Sequence, residues 1–244
     1  IDRLNMLVTH YASAETPHMP LALSEQGKLL YDTEALKRAR PTLERFVNER
    51  KNKNLKVFQS ASANAEVGRV HYYLGWIDAV ENRHPEAAAN FQIAAAQGGS
   101  RLGKDGSSLA SDAALQQGIA LVNAKEFEKA AQHLQQVGNQ YKEHPRKDLV
   151  LYYTGLAYAR VENWGAAAGF FKRVIDEHPK APFADKAVYE WAWCERSQKR
   201  NEQATERYEL LLKQYPKSNL LTKVQSELAE LNLDVGAQDA VIAK

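Results

Sequence analysis

The segment Gly98-Gly99-Ser100-Arg101-Leu102-Gly103-Lys104-Asp105 is one hydroxyl short of the phosphate-cradling loop GxxxxGK[ST]. In that loop, backbone N–H groups wrap the phosphates and a Ser or Thr holds magnesium. Here Asp105 takes the place of the hydroxyl, and its negative charge would face phosphate. The stretch before it reads as helix, where the loop needs a buried strand. A flexible segment between helices accounts for it better than nucleotide binding. Seven histidines (His10, His18, His71, His84, His133, His144, His178) could ligate metal, but no two stand at i, i+4 on one helix and none neighbours a cysteine. His144-Pro145 and His178-Pro179 fall at helix ends, where histidine complements the dipole. No GxSxG elbow is present. Carboxylate pairs such as Glu126 and Glu128 fall on predicted turns or exposed faces and read as solvation. Arg50, Lys51, Lys53 and Lys56 form a basic cluster that reads as a solvated loop. No catalytic residue, cofactor or metal is therefore predicted.

Composition narrows the classes further. The 244 residues are 44% hydrophobic and 25% charged, ordinary for a folded domain or a stack of repeats. The net charge of +2 argues against a dedicated nucleic-acid binder, whose affinity comes from neutralising phosphates. A lone cysteine, Cys194, excludes an internal disulfide framework and a Cys-rich zinc site. No apolar run is long enough to span a bilayer. The chain begins at Ile1 rather than Met, which leaves room for a leader, lipid anchor or domain upstream.

The elements that would position any site come from a repeat. A small residue is followed twelve positions later by alanine in five places: Gly27/Ala39, Gly75/Ala87, Gly118/Ala130, Gly155/Ala167 and Ala192/Ala204. Four residues beyond each alanine stands Leu43, Phe91, Leu134, Phe171 or Tyr208, and three further Phe46, Ala94, Val137, Val174 or Leu211. Twelve residues suit two short helices joined by a turn, with the small residue meeting alanine where the helices approach. The later positions then share one face of the second helix. One hairpin cannot bury that stripe, so hairpins must stack. Asn82 to Pro85, Asn123 to Glu126, Asn163-Trp164 and Arg200-Asn201 mark the turns, and Pro145, Pro179 and Pro216 the far ends of second helices. Pro41 predicts a kink or a late start in the second helix of the first repeat. Asp2 to Ala14 reads as a helix. Leu220, Leu221, Val224, Leu228 and Leu231 make the stripe of a capping helix, with Lys223, Glu227 and Glu230 facing away.

Leu151, Gly155, Tyr158, Ala167, Phe171 and Pro179 resemble the tetratricopeptide repeat family, and Val188, Ala192, Ala204, Tyr208 and Pro216 repeat that pattern with alanine for glycine. The small residues are separated by 48, 43, 37 and 37 positions, longer than the family's unit of about 34. The excess falls near Asn52 to Ala65 and in the glycine-rich Gln97 to Leu109. The resemblance implies an all-α, right-handed superhelical solenoid of helix-turn-helix repeats. Its expected organisation is an N-terminal helix in 1–19, five repeats (20–53, 68–101, 111–144, 148–181 and 185–218), a capping helix in 219–233 and a frayed tail in 234–244.

The family's concave positions carry over to Tyr72 and Trp76; Leu115, Ile119 and Asn123; Tyr152, Leu156 and Arg160; and Tyr189, Trp193 and Arg196, with Ser24, Lys28 and Tyr31 in the first repeat. Tyr, Trp and Arg dominate interface energetics, so this groove is expected to bind a protein or peptide. Leu115/Ile119, Tyr152/Leu156 and Tyr189/Trp193 stand where chaperone-binding repeats carry Lys and Asn, which argues against a carboxylate clamp. His178-Pro179-Lys180-Ala181-Pro182-Phe183-Ala184 and Tyr215-Pro216-Lys217-Ser218 resemble junctions in bacterial envelope repeat proteins, among them outer-membrane assembly lipoproteins and periplasmic division coordinators. That resemblance implies a non-enzymatic scaffold in the periplasm or at the periphery of the outer membrane of a Gram-negative bacterium. The alternatives are a repeat domain of a larger enzyme, exporter or secretion assembly, a cytoplasmic location, and an RNA-binding repeat array, which the charge balance disfavours.

Overall fold

The computed structural model describes residue 6, residues 16–99 and residues 106–242. Among the described residues eleven α-helices follow one another. They are α1 (Met19–Asp32), α2 (Leu36–Lys51), α3 (Ala61–Val80), α4 (His84–Gln97), α5 (Leu109–Asn123), α6 (Phe127–Gln140), α7 (Lys147–Arg160), α8 (Trp164–Glu177), α9 (Ala184–Ser197), α10 (Asn201–Gln214) and α11 (Leu221–Ile242). The turns within successive pairs share one design. Glu34, Asn82, Lys125, Glu162 and Lys199 each adopt a φ between 58 and 62°. The next residue donates its N–H to the carbonyl five back: Ala35 to Leu30, Arg83 to Asp78, Glu126 to Leu121, Asn163 to Tyr158 and Arg200 to Glu195, at 2.8 to 3.0 Å. This is the Schellman stop, which satisfies carbonyls left over at a helix end. Only Asn82 is a residue type that favours the left-handed region, so the bonds and the packed flanks hold the other four turns there.

The helices pack in two compact units, α1–α5 with the 3-10 turn Lys56–Gln59, and α6–α11. The core of the first includes Leu23, Leu30, Leu43, Phe46, Phe58, Val70 and Ile77. The second is built on Phe171, Val174, Val188, Trp191, Tyr208, Leu211, Val224 and Leu231. The repeat alanines Ala39, Ala87, Ala167 and Ala204 are fully buried. The close approach, however, is not between glycine and alanine as expected. A Cβ at Gly27 would lie 2.2 Å from Leu43, at Gly75 2.9 Å from Phe91, and at Gly155 2.8 Å from Phe171. The first helix is small so that the large residue four beyond the alanine can lie across it.

Three further expectations change. Of the kink or late start expected at Pro41, the late start is not found: α2 begins at Leu36 and runs through Pro41. Pro41 is exposed, and the carbonyl of Lys37 that loses its helical donor belongs to an exposed residue that water can reach. Arg50 is structural: it donates to the Phe58 carbonyl at 2.6 Å and to Asn64 Oδ1 at 2.9 Å, pinning the 3-10 turn, while Lys51, Lys53 and Lys56 are exposed. α11 continues as helix to Ile242, through the segment expected as a tail. The helix expected in Asp2 to Ala14 lies outside the described residues.

Two buried polar clusters hold the first unit together. Asp78 is 2% exposed and accepts from Arg40 at 2.8 Å, Arg83 at 2.8 and 3.1 Å and Asn90 at 2.7 Å, joining α2, α3 and α4. Ser24 donates to Glu66 at 2.8 Å and accepts from Arg69 at 2.9 Å, and Arg69 pairs with Glu25 and Glu66. Ser24 therefore belongs to a buried network rather than to a binding face.

Candidate functional site

In the first unit, the predicted groove residues sit on α3 and α5. Tyr72 and Trp76 are half-buried, in edge-to-face contact with each other at 6.3 Å and with Phe91 at 6.0 and 5.6 Å. The Tyr72 hydroxyl donates to Asp112 at 2.5 Å, and burial with that neighbouring charge pushes its pKa up. This phenol is already committed. Ile119 is half-buried and Asn123 exposed, but Leu115 is 0% exposed. Leu115 is core, because the turn of α5 that carries it also carries buried Ala113, Ala114 and Gly118.

In the second unit, α7 and α9 bring Tyr152, Leu156 and Arg160 together with Tyr189, Trp193 and Arg196, and the two helices divide into an engaged and an unengaged part. Tyr189 is 8% exposed. Its hydroxyl donates to Glu227 of α11 at 3.0 Å, and Lys223 Nζ stands 4.4 Å from its ring centroid. Arg196 pairs with Glu227 and, at 3.0 Å, with Glu230. The C-terminal helix thus occupies these two positions itself. Lys223, Glu227 and Glu230 do not face away from the stack, as the apolar stripe suggested. Glu227 lies one turn from buried Val224, so it comes down onto α9 at the edge of the stripe.

The rest of the face carries unmet valences. Tyr152 is half-buried against Phe183, at 4.8 Å, and Phe171, at 6.0 Å, yet its hydroxyl bonds to no described residue. Trp193 is half-buried with its ring edge-on to Trp164 at 5.0 Å. Arg160 is exposed and makes no ion pair with a described residue. Leu156 packs half-buried on the core beneath.

The sequence reading missed Glu190. It precedes Trp193 by three residues, so both lie on one face of α9, and a helical wheel would have placed it there. It is half-buried and forms no hydrogen bond or ion pair with a described residue. Burial raises its pKa, against the opposing charges of Arg160 and Lys223. Nothing in the sequence showed that it would be desolvated.

Other predicted chemistry dissolves into structure. Gly98 lies against Gly68, where a Cβ on Gly68 would be 2.6 Å from Gly98 Cα, so that glycine serves close packing of α3 on the end of α4. Residues 100–105 of the phosphate-loop resemblance lie outside the described residues. Among the described residues no three His, Cys, Asp or Glu side chains are grouped to hold a metal, and no helix is long and apolar enough to cross a membrane.

Comparisons with known proteins place this architecture. YrrB, a TPR protein described as having an unusual peptide-binding site, superposes with a TM-score of 0.66 at 17% identity over 91% of this chain and 97% of that one. PilF of Pseudomonas aeruginosa gives 0.55 at 14% identity over 90% and 91%. MamA of Desulfovibrio magneticus RS-1 gives 0.56 at 15% identity over 72% and 89%. At these identities the likeness is one of fold: the chain is an all-α protein of TPR-like helical hairpins. No curated protein matches it. The family model YfiO, outer membrane lipoprotein, matches residues 108–244, more than half of the sequence and the whole of the α7–α11 region just described. The chain belongs to the YfiO family of outer membrane lipoproteins.

Proposed function

We propose that the protein is a non-enzymatic scaffold that captures a partner polypeptide on the α7–α9 face during assembly of the bacterial envelope. One observation carries this reading: Tyr152, Leu156, Arg160 and Trp193 stand on the facing helices α7 and α9, where the Tyr152 hydroxyl makes no hydrogen bond and the Arg160 guanidinium no ion pair with a described residue. Tyr, Trp and Arg are the side chains whose truncation costs most at interfaces, often about 2 kcal/mol or more. Helices joined by hydrogen-bonded turns hold them rigid, which lowers the entropy lost on binding. Tyr189 and Arg196 contribute less, being engaged by α11. Membership of an outer membrane lipoprotein family supports a place at the periplasmic side of that membrane. The test is affinity capture with mass spectrometry from the source bacterium, comparing the native protein with a Tyr152→Ala, Trp193→Ala variant. The variant should lose the specific partners and keep its helical circular dichroism. Equal capture by a folded variant would overturn the assignment.

A further inference from the structure

We propose that the connector between α2 and α3 rests on the phosphate headgroups of an anionic lipid bilayer. This goes beyond the α7–α9 reading and is independent of it, because the connector belongs to the first unit. From Arg50 to Ala65 the chain carries Arg50, Lys51, Lys53 and Lys56 and no Asp or Glu. Lys51, Lys53 and Lys56 are exposed. Lys51 donates to the neutral Asn48 Oδ1 at 3.3 Å, and Lys53 and Lys56 make no ion pair with a described residue. Glu49, the nearest acid before the connector in sequence, lies beside Arg45 at 3.6 Å. Three ammonium groups thus stand together without a described carboxylate to balance them.

A slack loop would spread this charge over many conformations, but the connector is held. Arg50 donates to the Phe58 carbonyl and to Asn64, and Gln59 returns a bond to the Arg50 carbonyl at 2.8 Å. Asn52 accepts from the Leu55 N–H at 3.0 Å through its carbonyl and from the Asn54 N–H at 3.1 Å through its side chain. Phe58 is 4% exposed and meets Phe46 edge-on at 5.8 Å. The lysines therefore stand on a fixed base, and little order is lost when they meet a surface. At the other end of these helices both signs stand together: Asp32 and Glu34 with Lys37 and Arg38, and Glu81 paired with Arg83. The 16 residues of α2 separate the two ends by about 24 Å, beyond the screening length of about 8 Å at physiological salt. A charged surface at the connector is thus met by cations alone. Phe58, the one aromatic from Arg50 to Ala65, is buried, so the connector offers no ring for the base stacking that single-stranded nucleic acid uses. Clustered lysines on an outward connector suit an extended sheet of negative charge. Membership of an outer membrane lipoprotein family supports a bilayer as that sheet.

The test is co-flotation of the full chain with vesicles of phosphatidylcholine alone or with about 30% phosphatidylglycerol. Binding should require the anionic lipid and fall steeply as salt rises to about 0.5 M. Each lysine at such a surface strengthens binding about fivefold, so Lys51→Gln, Lys53→Gln, Lys56→Gln should weaken it about a hundredfold. All three side chains are exposed, so the variant should keep its helical circular dichroism. A second variant, Lys37→Gln, Arg38→Gln, Lys125→Gln, removes the same charge from exposed positions elsewhere in the first unit and should lose less than about threefold. Equal losses in the two variants would reduce the effect to net charge and overturn the proposal, as would native binding that ignores phosphatidylglycerol or is absent. Tighter binding to polyuridylate or polyglutamate than to the anionic vesicles, with the same dependence on the three lysines, would overturn the lipid assignment. None of these outcomes touches the α7–α9 face, whose own test uses Tyr152 and Trp193.

Discussion

Gly155→Ala probes the contact on which each hairpin depends. The new Cβ would lie 2.8 Å from Phe171 Cε1 and 3.0 Å from Cδ1 and Cζ. Carbon atoms in good contact stand about 3.5–4.0 Å apart, so the ring must withdraw by roughly 0.8 Å. It has little room, because Phe171 is 0% exposed and Tyr152 packs against it. Overpacking of this kind costs about 1–3 kcal/mol. Alanine also gains about 1 kcal/mol over glycine inside a helix. The net expectation is a loss of about 1 kcal/mol. The decisive quantity is the coupling to Phe171. In a Phe171→Ala background the ring that the new Cβ would strike is gone and the helix gain remains, so the same substitution should become stabilising. The effect of Gly155→Ala should differ between the two backgrounds by about 1–3 kcal/mol. Urea unfolding followed by tryptophan fluorescence reads it, since Trp164, Trp191 and Trp193 all lie in the α6–α11 unit and only Trp76 lies outside it. Equal effects in both backgrounds, within about 0.5 kcal/mol, would refute the claim that glycine is there to admit the ring.

Two other predictions follow from buried groups. Asp78→Ala leaves Arg40, Arg83 and Asn90 without their common acceptor and should destabilise the first unit by about 3–5 kcal/mol, seen as an earlier unfolding transition in the Trp76 signal; a shift below about 1 kcal/mol would show that water replaces the carboxylate. Cys194 is fully buried, and burial pushes its thiol from 9.0 up to about 12. An acid whose pKa is raised by folding favours the native state below its unfolded value, so this contribution is lost as pH rises from 9.0 toward about 12, at up to about 1.4 kcal/mol per pH unit. Cys194→Ala should flatten that alkaline decline, and the native thiol should resist a disulfide reagent at mildly alkaline pH until urea exposes it; rapid labelling of the folded protein would contradict the burial.

Much of this was legible in sequence, and the rest was hidden for stated reasons. The small residue, the alanine twelve on and the bulky residues beyond it identify hairpins because helix periodicity is local and steric crowding excludes side chains at a close approach. The turn residues were placed because Asn and the helix-end prolines mark stops, though four of the five left-handed positions are Glu or Lys, types that carry no such signal. Which partner the glycine admits was misjudged, since spacing gives the register of a helix face but not the rotation of one helix on another. Of the eleven groove positions, Leu115 proved to be core, and Tyr189 and Arg196 are taken by α11.

Amino-acid order alone determined that this chain makes helical hairpins, where they turn, and which faces are apolar, because those properties are decided by neighbours within two helical turns. The tertiary structure decided which of the polar side chains are spoken for. Glu227 reaches Tyr189 and Arg196 across more than thirty residues, and Glu190 is half-buried without a hydrogen bond or ion pair to a described residue. Pairing and desolvation depend on distance in space, and no periodicity in the chain encodes that distance.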